Sequence, residues 1–120
     1  MESNSENIIR KKSFDFAVRI IKLYKYLVKN KKEFVLSKQV LRCGTSIGAN
    51  VEEGIGGISK ADFSNKLSIA YKESRETNYW LRLLKETEFI DPKMFLSLFN
   101  DNEEISKILF SIIRTSRGKK

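Results

Sequence analysis

Arg19, Lys22, Lys25 and Lys29 follow one another at steps of three and four residues, with Tyr26 among them and Asp15 as the one nearby opposing charge. On an α-helix that spacing gathers the cations on a single face. Like charges held together repel unless a partner neutralises them. Phosphates do so with release of counterions, and a tyrosine in their midst can stack on an unpaired base. The candidate nucleic-acid contacts are therefore Arg19, Lys22, Lys25, Tyr26, Lys29, Lys31 and Lys32, with Lys11 and Lys12 extending the surface, and RNA or DNA as the partner. A face kept basic only for solubility would carry the same pattern. The overall balance favours a polyanion: 23 Lys and Arg stand against 15 Asp and Glu, a formal charge of +8. The excess is concentrated in residues 1–51, which hold 11 basic and four acidic residues.

Residues suited to catalysis are scarce. The chain has no histidine, the commonest general base and metal ligand, and its single cysteine, Cys43, has no imidazole to activate it. A structural thiol is the reading. Glu52-Glu53 and Glu103-Glu104 are adjacent pairs, which diverge on a helix. Gly54-Ile55-Gly56-Gly57 lacks the preceding strand and following lysine of a phosphate-binding loop. A metal-dependent nuclease assembled from scattered carboxylates is the remaining catalytic alternative. The expectation is a protein that is not an enzyme, with no cofactor and no metal. One cysteine forms no intrachain disulfide and no secretory signal is evident, which points to the cytoplasm. Lys or Arg interrupts every apolar run well short of the ~18 residues that suggest a membrane span, so no membrane role is expected.

The elements that must position these residues are helical. One proline and six glycines in 120 residues allow long uninterrupted helices. Residues 1–12 read as a mobile basic arm, 13–115 as one four-helix domain, and 116–120 as a frayed basic tail. The first helix is expected from Ser13, with Phe14, Ala17, Ile20, Ile21, Tyr24 and Val28 as its core stripe. Asn30-Lys31-Lys32-Glu33 ends that pattern, and the Ser37 hydroxyl is the expected cap of a second helix carrying Val40, Gly44, Ile47 and Val51. The glycines from Gly54 to Gly57 break the chain. Ser59 with Asp62 resembles a capping box that opens the longest helix, about 60–88, whose main face is Phe63, Leu67, Ala70, Tyr71, Ser74, Asn78 and Leu81. Asp91-Pro92 reads as a cap and first helical residue of a last helix with Met94, Leu98, Ile105, Leu109 and Ile112 inward. Short connections make neighbours antiparallel, hence an all-α, up-and-down four-helix bundle.

Two further groups stand out on the third helix. Ile69, Trp80 and Leu83 form a second apolar strip that needs a partner outside the bundle, and a homo-oligomer interface is the expectation. The competing reading packs Trp80 beneath a side chain of its own bundle. Ser74 and Asn78 lie within the main apolar face, and with Ser46, Asn50 and Glu53 they suggest a polar network between the second and third helices, Arg75 or Arg82 neutralising Glu53.

The stretch Leu41-Arg42-Cys43-Gly44-Thr45-Ser46-Ile47-Gly48-Ala49-Asn50-Val51-Glu52-Glu53-Gly54 resembles the proteins encoded in 23S rRNA intervening sequences. Ser59–Phe63, Lys66–Ala70, Lys72–Thr77 and Tyr79-Trp80-Leu81 continue the likeness, which spans about 14–114, with Cys43 where that family often has serine or alanine. The resemblance implies a four-helix bundle assembled into a homopentameric ring, in bacterial cytoplasm. It further implies kinship with the accessory variability protein of diversity-generating retroelements, a basic pentamer that binds nucleic acid and a reverse transcriptase. No catalytic residues come with it. The leading expectation is a non-enzymatic, oligomeric nucleic-acid-binding protein acting on structured RNA. The alternative is a scaffold that recruits a protein partner such as a reverse transcriptase or ribosomal component.

Overall fold

The computed structural model describes residues 3–118. Helix formation begins at the N-terminal polar segment, where the Ser3 hydroxyl accepts the Glu6 backbone N–H at 3.2 Å. Helix α1 then runs Asn4–Lys29 without interruption, so the expected arm over residues 1–12 is helical from Asn4 onward. Met1 and Glu2 lie outside the described residues. The reason is Ile9, fully buried, which extends the core stripe of α1 a full turn before Ser13. That stripe is Ile9, Ser13, Phe16, Ile20, Leu23 and Leu27, a strict alternation of four- and three-residue steps. Phe14 and Ile21, expected in the core, stand on the surface, Phe14 at 68 % exposure. Two apolar stripes share this helix, and the inward one includes a serine.

That serine lies where α1 and α2 approach closely. A side chain at Gly48 would put its Cβ 3.2 Å from the Ser13 carbonyl oxygen, and one at Gly44 would meet Ile20 at 2.8 Å. The absent Cβ atoms on helix α2, Leu36–Ile55, let it lie tightly on α1. Val40, Gly44, Ile47 and Val51 face inward as the spacing requires.

The entry to α2 is capped differently from expectation. Glu33, not Ser37, satisfies the free donors: its carboxylate accepts from the backbone N–H of Val35 (3.1 Å), Leu36 (2.8 Å) and Ser37 (2.6 Å). The Ser37 hydroxyl instead donates back to the Glu33 carbonyl at 2.9 Å. A carboxylate has two acceptor oxygens for three orphan N–H groups, which one hydroxyl cannot match. Burial alone would raise the pKa of Glu33, but the three backbone donors together outweigh it and hold the carboxyl below its ordinary range. Glu33→Ala should destabilise the fold by about 1.5 kcal/mol at neutral pH. Because the native group titrates below the unfolded one, this advantage is complete above the ordinary glutamate range and disappears as pH falls through the native value. Urea unfolding of both proteins at pH 7 and pH 3 should show a gap that narrows at the lower pH.

Helix α2 continues through Gly54, and no glycine among the described residues has positive φ. Gly54 serves packing instead, since a Cβ there would meet Leu67 at 2.7 Å. Helix α3, Lys60–Glu86, opens as expected with Ser59 accepting from Asp62 N at 3.0 Å. Helix α4, Pro92–Gly118, opens with the Asp91 carboxylate on Met94 N at 2.7 Å. It remains helical through the expected frayed segment as far as Gly118, while Lys119 and Lys120 lie outside the described residues. The helices form a four-sided bundle about 49 Å long in which α2 touches α1 and α3, α4 touches α3 and α1, and diagonal pairs do not meet.

Candidate nucleic-acid interface

The exposed side of α1 divides along its length. Its first half shows the outer apolar residues Phe14, Val18 and Ile21, and its second half shows Lys22, Lys25 and Lys29. Lys31 and Lys32 follow in the turn, both exposed. None of these five lysines has an ion-pair partner among the described residues, and no acidic residue occurs between Asp15 and Glu33. Glu33 itself is buried and turned onto backbone N–H groups.

Several basic side chains elsewhere are engaged. Lys11 pairs with Asp15 at 3.0 Å, Lys12 with Glu104 at 3.1 Å and Arg10 with Glu52 at 2.6 Å. Lys66 pairs with Glu53, Arg75 with Glu103, and Arg42 with Glu73 and Glu76. Arg19, expected among the phosphate contacts, is tied to α4: its guanidinium bonds to Asp101 and, at 2.9 Å, to the Ser97 hydroxyl. Tyr26, expected to stack on a base, is half-buried against the core, with the Lys31 ammonium 6.0 Å from its ring centroid. Arg19 and Tyr26 are seven residues apart and so occupy the same flank of α1, the one beside α4. The expected set therefore separates into five free lysines and two residues that hold helices together.

The expected polar network also has different partners. Ser46 donates to the Arg42 carbonyl and Asn50 to the Ser46 carbonyl, both within α2. Glu53 is neutralised by Lys66, not by Arg75 or Arg82. Ser74 and Asn78 bond instead to α4. Asn102, fully buried, donates to the Asn78 side-chain oxygen at 2.9 Å and to the Ser74 carbonyl at 2.8 Å, and accepts from the Ser74 hydroxyl at 2.7 Å. Ser106 and Glu103 complete the cluster through Ser74 and Asn78.

Ile69 is exposed, while Trp80 and Leu83 are half-buried. The Trp80 ring packs on its own core and its N–H bonds to Glu76 at 2.9 Å. Cys43 is buried with the Thr77 hydroxyl 3.2 Å from Sγ, and burial pushes its thiol up to about 11, leaving it neutral and unreactive at pH 7. Among the described residues, no three His, Cys, Asp or Glu side chains converge on a possible metal position. No described helix is long and apolar enough to cross a membrane. A groove lies at the far end of the bundle from Lys29, bordered by Ile8, Ile55, Ile58, Phe63, Ile108 and Ile112.

None of the curated proteins matches the chain. Among solved structures it is similar to a protein of unknown function from the S23 ribosomal protein family of Bacteroides thetaiotaomicron, with 55% identity, a TM-score of 0.91, and coverage of 92% of this chain and 98% of that one. Residues 5–111 match the family described as 23S rRNA-intervening sequence protein, in keeping with the likeness carried by residues 41–54. The chain belongs to the 23S rRNA-intervening sequence protein family.

Proposed function

We propose that this protein is a non-enzymatic RNA-binding protein whose contact surface is the lysine row Lys22, Lys25, Lys29, Lys31 and Lys32. The observation that carries the reading is the clustering of unpaired lysines. Eight basic residues elsewhere pair with carboxylates among the described residues, whereas these five stand together in one row, exposed and with no acid between Asp15 and the buried Glu33. Uncompensated like charges on a rigid helix raise the local potential, and a phosphate backbone relieves it with release of counterions. Such contacts carry no base information, so binding should track structure and charge, not sequence. The family's description makes a structured rRNA fragment the natural probe. Mobility of that fragment with the purified protein at low salt tests the reading directly. A shift that high salt removes is expected, and the absence of any shift at low salt overturns it.

The functional unit in this proposal is a homo-oligomer, a pentameric ring. Phe14 stands one helical turn from Arg10, which pairs with Glu52 of α2, and Trp80 stands one turn from Glu76, which pairs with Arg42 of α2. Both apolar strips thus border α2, with exposed Phe14, Val18 and Ile21 on one side and exposed Ile69, beside half-buried Trp80 and Leu83, on the other. Exposed apolar residues in such a group favour burial against a second copy. Phe14→Glu with Ile21→Glu should convert the assembly to monomers in sedimentation while leaving helical content unchanged. A wild-type monomer would remove the oligomer from the account.

A further inference from the structure

Between α1 and α2 the chain displays an aromatic side chain where little requires one. Phe34 is 52 % exposed and Val35 is 70 % exposed, at the tip of the turn that carries Lys31 and Lys32. Lys29 precedes them and Lys38 follows, all four ammonium groups exposed. The only acid in the turn is the buried Glu33. Exposed phenylalanine within a cationic cluster has the two components of single-strand recognition: a flat apolar face for a base and cations for the flanking phosphates.

The turn is also built to hold that ring in place. Lys32 sits in the left-handed region at φ 54°, a conformation that costs a non-glycine residue energy and persists only where its surroundings fix it. The fixing contacts are present on both sides. Glu33 N–H donates to the Leu27 carbonyl at 3.0 Å, and the Glu33 carboxylate takes the N–H groups of Val35, Leu36 and Ser37. Phe34 is thereby flanked by anchored backbone, and a base docking there meets a turn whose ordering cost was met in folding.

We propose that Phe34 is a stacking platform for an unpaired base, with Lys31 and Lys32 on the adjoining phosphates, so that the protein selects RNA containing a loop or bulge over a continuous duplex. This rests on the RNA reading above and names the class of RNA that the lysine row receives. An anionic membrane would also attract cations and a phenylalanine. Geometry favours RNA, because Lys22, Lys25 and Lys29 run along the side of a rod about 49 Å long. A plane touching the tip would leave those side-facing charges unused, whereas a strand leaving the tip can follow them.

The test compares the wild type with Phe34→Ala, Phe34→Leu and the charge variant Lys22→Glu/Lys25→Glu/Lys29→Glu. The probes are an RNA hairpin with an unpaired loop, a blunt RNA duplex of equal length, and phosphatidylcholine vesicles containing phosphatidylserine. Circular dichroism confirms that each variant is folded. The expected result is a roughly tenfold loss of hairpin affinity in both Phe34 variants, with duplex affinity unchanged and the charge variant weakened on both RNAs. Leucine keeps the apolar surface but not the ring, so its failure to rescue identifies stacking. Wild-type binding to both RNAs that Phe34→Ala leaves intact, or reduces equally, overturns the stacking platform while the RNA reading stands. No wild-type binding to either RNA overturns both. Vesicle binding that depends on Phe34, without discrimination between RNAs, assigns the tip to a lipid surface instead.

Discussion

Asn102→Ala should destabilise the bundle by about 3 kcal/mol, measured as a lower urea midpoint at unchanged slope. The change removes a fully buried side chain that makes three hydrogen bonds across the α3–α4 seam. It leaves the Asn78 side-chain oxygen without its donor in a site that is 3 % exposed, and the Ser74 hydroxyl without its 2.7 Å acceptor. Orphaned buried polar groups cost more than the bonds they made contributed, and the vacated volume adds a cavity term. Because Ser74 and Asn102 act as one unit, Ser74→Ala in the Asn102→Ala background should cost clearly less than in the wild type. A loss below about 1 kcal/mol for Asn102→Ala would mean that the cluster is not a structural determinant.

The second large effect concerns binding. Reversing Lys22, Lys25 and Lys29 to glutamate should weaken RNA affinity on the order of 100-fold at low salt, since three phosphate contacts are lost and three repulsions gained. The informative control reverses Lys72, Arg82 and Lys107, exposed residues of α3 and α4, for the same change in net charge. Compared at about 0.1 M salt, that control should reduce affinity only slightly, because screening there confines the effect of a surface charge to about 10 Å. Equal losses in the two variants would show that net charge alone draws RNA to the protein and that α1 has no special part.

The starts of α3 and α4 were legible because local chemistry sets them, whereas the start of α1, the cap of α2 and the end of α4 were not. Ser59 and Asp91 cap the helices that the sequence places after them, and the stripes of α2, α3 and α4 point inward as their spacing requires. The phase of α1 was not legible in the same way. It carries two apolar series, Ile9-Ser13-Phe16-Ile20-Leu23-Leu27 and Phe14-Val18-Ile21, and side-chain type alone favours the one beginning with phenylalanine. The strict four-three alternation from Ile9, including Ser13 opposite Gly48, was the available signal.

Partners across helices were harder still. Arg19 is a free cation on a helical wheel and an α4 tether in the fold, because Asp101 lies 82 residues away. Asn102 was readable in principle: it falls between Leu98 and Ile105 at the four-three spacing of the core stripe, a polar residue where burial is required. Phe34 belongs to no periodic segment, so nothing in the sequence singles it out. Its exposure depends on Glu33 folding inward, which only the backbone geometry of the turn reveals.

If the lysines of α1 contact RNA phosphates directly, they set how steeply binding falls with salt. The decisive quantity is the slope of log affinity against log salt for a structured rRNA fragment, in the wild type and in Lys22→Gln/Lys25→Gln/Lys29→Gln. Neutral substitutions keep binding measurable. Each phosphate contact contributes roughly 0.7 to 0.9 to the slope, so removing three should flatten it by about 2 to 3. A wild-type affinity indifferent to salt, or a variant whose slope equals that of the wild type, would contradict the account.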